Sequence, residues 1–168
     1  GGGVGKALST LRPRLSKVHG VNGTSSGSVS WGGLYSYSTG LVEQGGSRKG
    51  ALMLQLHVSH PDIFEFITVK TQDGKITNAN LSVQMTLEFL EAVKNDEDWH
   101  LIFPDITHEK YDSEWGTKYQ DIHDWLNAGY PVEIYETVKA KELYNLIIES
   151  AHASGEPGIV VYDYMNNG

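Results

Sequence analysis

Apolar positions along the chain fall into alternating strand-like and helix-like patterns. "ALMLQLHVS", starting at residue 51, is a nearly continuous apolar run of strand length and reads as a buried strand over 51–58. Pro61 and Asp62 then suit a helix start, and Ile63, Phe66, Ile67 and Lys70 fall on one side of that helix. "ANLSVQM" alternates Leu81, Val83 and Met85, which marks a strand over 79–85. Thr86 can cap the next helix, where Phe89, Leu90 and Val93 form an apolar stripe. "WHLIF" at 99–103 is another short strand. Thr137 opens the clearest helix, with Ala140, Leu143, Ile147 and Ala151 on one face, Gly155 to end it and Pro157 to forbid its continuation. "GIVVYDY" closes the pattern as a buried strand over 158–163.

Between these lie segments with weaker periodicity. "GGGVG" is too flexible for a helix interior, and residues 6–21 read as a strand edge or a loop. "NGTSSGS" is turn chemistry, in which the hydroxyls of Thr24, Ser25 and Ser26 are candidates to cap a following helix. Residues 28–43 are assigned to that helix although Gly32, Gly33 and Gly40 each cost about 1 kcal/mol relative to alanine. The small residues would let another element approach closely. "QDGK" at 72–75 is a turn signal. Residues 104–131 are polar, acidic and aromatic, and read as a surface insertion anchored by Trp115, Tyr119 and Trp125. Strands and helices alternate without an internal repeat, so the class is α/β.

Charge adds an asymmetry. The net charge is −8, yet residues 1–50 carry six cations and one acid, a balance of +5, and the remainder carries −13. A basic, glycine-rich third points to anions being handled at one end. The chain has no cysteine, so disulfides, thiolate metal sites and thiol nucleophiles are excluded within it. It shows neither a run of about 18 apolar residues nor a signal-type apolar core at its start, so the expectation is a cytoplasmic protein with no membrane partner.

The candidate chemistry is modest. In "LVEQGGSRKGALMLQL", Gly45, Gly46 and Gly50 surround Arg48 and Lys49 directly before the apolar strand. Successive backbone N–H groups there form either an anion-binding nest or a tight turn. The stretch is not a P-loop, because that motif runs Gly-Lys-Ser/Thr into a helix. His57 and His60 lie three apart, on opposite faces if both sit on a strand, which disfavours a metal site. Ser25 and Ser26 lack a nucleophile elbow. Asp62 with Glu65, and Glu142 with Glu149, read as solvated faces. Asn78 and Asn80 in "TNANLSV" either read a base or ribose or cap turns.

Taken in order, "GGGVGKALSTLRPR", "VNGTSSGSVSW", "EQGGSRKGALML", "HPDIFEFI", "KITNANLSV" and "GEPGIVVYDYMNN" resemble the catalytic subunit of ribonucleotide reductase over essentially all 168 residues. The wording is most similar to the class II, adenosylcobalamin-dependent branch. The resemblance implies the first half of a ten-stranded α/β barrel. Residues 1–50 would hold the effector and specificity loops, 51–103 a strand-helix-strand-helix-strand unit, 104–136 the surface insertion and 137–168 the last helix and strand. It also implies that Gln44, Gly45, Gly46, Ser47, Arg48, Lys49, Gly50 and Ala51 form the loop through which a bound deoxynucleoside triphosphate sets substrate choice. Arg12, Arg14 and Lys17 would face the effector's phosphates, with the two segments meeting at the nucleotide. Leu15 stands where similar sequences usually carry glycine, and Lys49 where they carry arginine. The family's radical and redox cysteines have no counterpart here. The expectation is therefore an internal fragment, inactive alone, with no catalytic residue, metal or cofactor of its own. Its partners would be effector, ribonucleotide substrate, the rest of the barrel, adenosylcobalamin in the complete enzyme and a second copy in a homodimer, without nucleic acid. The alternatives are a stand-alone nucleotide-binding module and a piece that only completes a barrel.

Overall fold

The computed structural model describes residues 2–44, 48–72 and 74–164. In chain order the elements are β1 (Gly3–Ala7), β2 (Lys17–Val18), β3 (Gly23–Thr24), α1 (Ser28–Leu41), β4 (Glu43–Gln44), β5 (Arg48–Lys49), β6 (Ala51–His57) and α2 (Ile63–Gln72). They continue with β7 (Asn80–Met85), α3 (Leu87–Asn95), β8 (Asp98–Pro104), α4 (Tyr111–Glu114), α5 (Ile122–Asn127), β9 (Val132–Lys139), α6 (Ala140–Ser154) and β10 (Gly158–Val161).

Four strands form one parallel sheet in the order β1-β6-β7-β10. Parallel neighbours need crossover connections, and α1, α2 and the α3-to-α6 segment supply them. Alternation along the strands sorts the two faces. Lys6 lies over the Tyr35 ring of α1, and Leu54 lies against Gly32, so these positions mark the helix side. Leu54, Leu56, Leu81, Val83 and Met85 bury themselves there with Val29, Ile63, Phe66, Phe89, Leu143 and Ile147. Each such side chain gains about 2 kcal/mol on leaving water. Gly32 lets α1 approach closely: a Cβ there would stand 3.2–3.3 Å from Ile76, Leu54 and Leu8. The opposite face is small and polar. Gly5 pairs with Met53, Ala7 with Gln55, and Gln55 with Ser82, while the Gln84 amide donates to Gln55 Oε1 at 2.9 Å.

Residues 105–131 hang from the antiparallel pair β8–β9 and build a second core around Phe103, Tyr111, Trp115, Ile122 and Trp125. The anchors read from the sequence hold: Trp115 and Tyr119 pack edge-on to Trp125 at 5.7 and 6.1 Å. The insertion nevertheless stops short of 136. Val132–Lys139 is a strand, Thr137 pairs with His100 through its hydroxyl at 2.8 Å, and the helix begins at Ala140. Val132, Ile134 and Val138 carry the strand alternation, which the helical stripe downstream masked. The terminal strand is also shorter and less buried than its apolar run suggests, because β10 pairs with β7 alone among the described residues. Gly3–Ala7 is a true strand on the other edge. Its glycines hid it, since they give no apolar signal. No helix among the described residues is long and apolar enough to cross a membrane.

Candidate functional site

The basic segment leaves β1 and folds back through the short ribbon β2–β3 before α1 begins. Leu15 N–H donates to Ser25 O at 2.9 Å and Ser25 N–H to Ser16 O at 2.8 Å, which ties the two limbs together. Arg12 is held rather than free. Its Nε donates to the Tyr111 hydroxyl at 3.2 Å, one terminal nitrogen reaches Lys17 O at 3.3 Å, and the other lies 3.5 Å from Asp112. Burial pushes the Tyr111 phenol above its ordinary range, and the neighbouring guanidinium works against that push. Arg14 is different. Its side chain is 59% exposed and only 3.8 Å from Glu65, a loose surface pair. Lys17 is exposed as well. Beside them opens a cleft of about 520 Å3 lined by Thr10, Arg12, Ser25, Trp31 and Tyr111.

The glycine segment sits elsewhere. Gly45, Gly46 and Ser47 lie outside the described residues. The backbone on either side forms a ribbon, with Glu43 opposite Lys49 and Gln44 opposite Arg48. Lys49 and Ala51 are exposed, and Gly50 N–H donates to Val42 O at 2.9 Å. Gly50 and Ala51 border an open cleft of about 540 Å3 at the amino ends of β1, β6 and β7, together with Gly3, Gly5, Met53 and Asn80. Of the specificity-loop candidates, Gly50 and Ala51 thus border this cleft.

Among the described residues, these two segments lie at opposite ends of α1. Arg12, Arg14 and Lys17 cluster at the amino end of α1, and the 44–51 ribbon lies at its carboxyl end. Fourteen helical residues separate them, about 20 Å at 1.5 Å per residue. The resemblance implies that the two segments meet at the nucleotide, and their described parts stand apart along α1. Between the two segments, α1 exposes Trp31, Leu34, Tyr37 and Leu41 on one stripe. Their spacing was visible in the sequence, and the uncertainty over a glycine-rich helix obscured it.

The remaining candidates divide. Asp62 is no solvated acid: it is buried, and its carboxylate accepts from Arg14 N–H at 2.9 Å, Ser28 N–H at 2.8 Å and the Ser28 hydroxyl at 2.8 Å. It caps α1 from 34 residues away, so the hydroxyls at 24–26 do not. Ser25 instead donates to Arg12 O. Asn78 is bound by its neighbours: its N–H donates to Ser36 Oγ at 2.9 Å and its side-chain amide to Thr77 Oγ1 at 3.2 Å. His57 and His60 are both buried. Among the described residues no group of three histidine or carboxylate side chains converges on a metal-sized centre. Tyr111 and Trp115, about a hundred residues from the segment they hold, gave no sequence signal for that task. Trp115 Nε1 donates to Thr10 O at 3.0 Å.

A parallel sheet with helices on one face and small residues on the other, bordered by a glycine ribbon, is the setting in which the family match falls. The model of the ribonucleotide reductase barrel domain matches residues 1–168. The chain belongs to the ribonucleotide reductase barrel family. It is 37% identical over 167 residues to the vitamin B12-dependent ribonucleoside-diphosphate reductase of Mycobacterium tuberculosis, covering 99% of this chain and 20% of that protein. To the protein of the same description from Thermoplasma acidophilum it is 33% identical, covering 99% and 18%. The ribonucleoside-diphosphate reductase large chain of Cryptosporidium parvum is 31% identical over 171 residues, covering 99% and 21%. The chain therefore spans about a fifth of the length of the curated relatives it matches, and in ribonucleotide reductase terms it is a sector of the α/β barrel.

Proposed function

We propose that this barrel sector is the part of a ribonucleotide reductase that reads a deoxynucleoside triphosphate and passes its identity to the substrate. The single observation carrying this reading is the exposed apolar stripe of α1 with one candidate loop at each end. In an isologous dimer whose two-fold axis runs across such a helix, the two copies pack antiparallel. The basic end of one copy then lies beside the glycine ribbon of the other. A nucleotide held by Arg14 and Lys17 would place its base against the partner copy's 44–51 segment. That ribbon borders the cleft on the polar side of the sheet, where a substrate would lie. Two clefts that one chain keeps apart become one relay.

The complete enzyme would reduce ribonucleotides to deoxyribonucleotides by radical chemistry in the cytoplasm. A cobalamin cofactor is suggested by the names of the relatives. The residues present do not fit that group: there is no cysteine to carry a thiyl radical or supply electrons, and no convergent donor set among the described residues. Those parts of the chemistry would belong to other segments of such an enzyme.

The test is titration of the chain with dTTP and dATP, read by calorimetry and by light scattering. Nucleotide should bind and raise the dimer fraction. Arg14→Ala and Lys17→Ala should each weaken binding about tenfold, the loss expected for a charge-assisted contact. Leu34→Asp should abolish the dimer formed through α1 and nucleotide binding together. Full-affinity binding by a monomeric Leu34→Asp chain would defeat the relay between copies.

A further inference from the structure

The chain holds two buried histidines with the same local wiring and different fates. Asp62 N–H donates to His60 Nδ1 at 3.0 Å, so the neutral ring carries its proton on Nε2, and that N–H reaches Leu11 O at 3.0 Å. Ser59 N–H donates to His57 Nδ1 at 3.2 Å, with Ser59 Oγ at 2.7 Å, so His57 likewise carries its proton on Nε2. There the parallel ends. His57 is 3% exposed, and its Nε2 has no hydrogen-bond partner among the described residues. His123 Nε2 is also buried without a partner, and the two rings meet edge-on with centroids 5.4 Å apart. A buried donor left unpaired is costly, and most such groups in native structures are satisfied by something.

Both rings line a cavity of about 330 Å3 beyond the carboxyl end of β6, enclosed by α3, β8, α5 and β9. The carboxyl ends of parallel strands are where ligands bind in open α/β sheets. Its walls are mostly apolar, built from Trp99, Ile102, Ile122, Leu126 and Ile134, and its rim carries Glu88 and Glu97. Arg12, Arg14, Lys17 and the glycine ribbon take no part in it.

We propose that this cavity is a second binding site, for a neutral, largely apolar and planar molecule that presents a hydrogen-bond acceptor to His57 Nε2–H. The acceptor satisfies the orphaned donor, the His123 ring flanks it, and the apolar walls hold the body. Anions are disfavoured by Glu88, Glu97 and Asp98 in a lining that holds no lysine or arginine among the described residues. A nucleotide phosphate is therefore the wrong ligand, which separates this site from the effector reading. At interior packing density the volume takes roughly a dozen non-hydrogen atoms.

Three probes of one shape test the assignment: 2-acetylnaphthalene, 2-ethylnaphthalene and 2-naphthoate, titrated into the chain with its histidine rings followed by 15N–1H NMR. The ketone should move the His57 Nε2–H resonance and bind about tenfold tighter than the ethyl compound, the value of one hydrogen bond. The carboxylate should bind more weakly than the ketone. His57→Leu should erase the difference between ketone and hydrocarbon. Leu126→Trp, a half-exposed position on the cavity wall, should block all binding while the His57 and His60 signals stay at their native positions. Equal affinity for ketone and hydrocarbon would overturn the proposal. So would no binding by a chain with native ring signals, or a tightly held water on Nε2–H that no probe displaces.

Discussion

Leu15 holds φ at 67°, the left-handed region that suits glycine, and its side chain is 71% exposed. Nothing buried repays the strain of Cβ against the carbonyl. The resemblance implies glycine at this position, and a left-handed backbone is one that glycine adopts without strain. Leu15→Gly should stabilise the chain by about 0.5–1 kcal/mol, after the entropy glycine adds to the unfolded state is subtracted. Urea unfolding measures it. His57 supplies the opposite kind of effect. Burial first, then the neighbouring His123 and His60, hold its imidazole down at about 3 against an ordinary 6.5. Between those values the folded chain binds fewer protons than the unfolded one. Stability is thus complete above pH 6.5 and falls as the pH drops toward 3, by about 2 kcal/mol between pH 7 and 5. Burial pushes His60 down too and adds to the same slope. His57→Gln, with no titrating ring, should flatten part of this decline in a Tm-versus-pH series.

The amino end of α1 shows how far one element can depend on another. Gly27, the residue before the helix, has φ at 91°, and a Cβ there would stand 2.8 Å from that of Arg14 and 3.1 Å from Asp62 Oδ2. The closeness exists because Asp62 reaches in to cap the helix. Asp62→Ala should cost about 2–4 kcal/mol, since Ser28 and Arg14 N–H groups would lose a buried carboxylate. Faster hydrogen exchange confined to the first turn of α1 would accompany it. Local pattern disclosed most of the elements. Alternation placed Leu81, Val83 and Met85 on a strand, and the Thr86 cap is present, its hydroxyl accepting from Phe89 N–H at 3.1 Å. What local pattern could not supply was partnership across the chain. Asp62 looked like a surface acid because its three donors lie in other segments. Val132–Lys139 divides between the insertion and a helix start in the sequence pattern because its strand partner lies 28 to 41 residues earlier. Arg12 looked like a free cation because Tyr111 was 99 residues away. The resemblance names the candidate loops, and the length of α1 sets their described parts apart.

At the scale of the molecule, the sheet ends on β1 and β10, each paired on one side among the described residues. Open edges of a parallel sheet are templates for further strands. The chain in isolation should therefore self-associate with rising concentration, read as increasing mass in size-exclusion chromatography with light scattering. Leu34→Asp should remove association through α1 and leave association through the edges. A monomer at all concentrations with a sharp thermal transition would show the edges to be closed. The insertion adds a second apolar core without lengthening the sheet, and it braces the basic segment through Tyr111 and Trp115.

The bare side of β1 has a consequence of its own. A methyl group added at Gly5 would touch nothing within 4 Å, and one at Gly3 would only graze Ala51 at 3.6 Å. Neither residue needs to be glycine for the sake of its own neighbours. Gly5→Ala should therefore leave stability within about 0.5 kcal/mol in urea unfolding, since the added methyl meets open space.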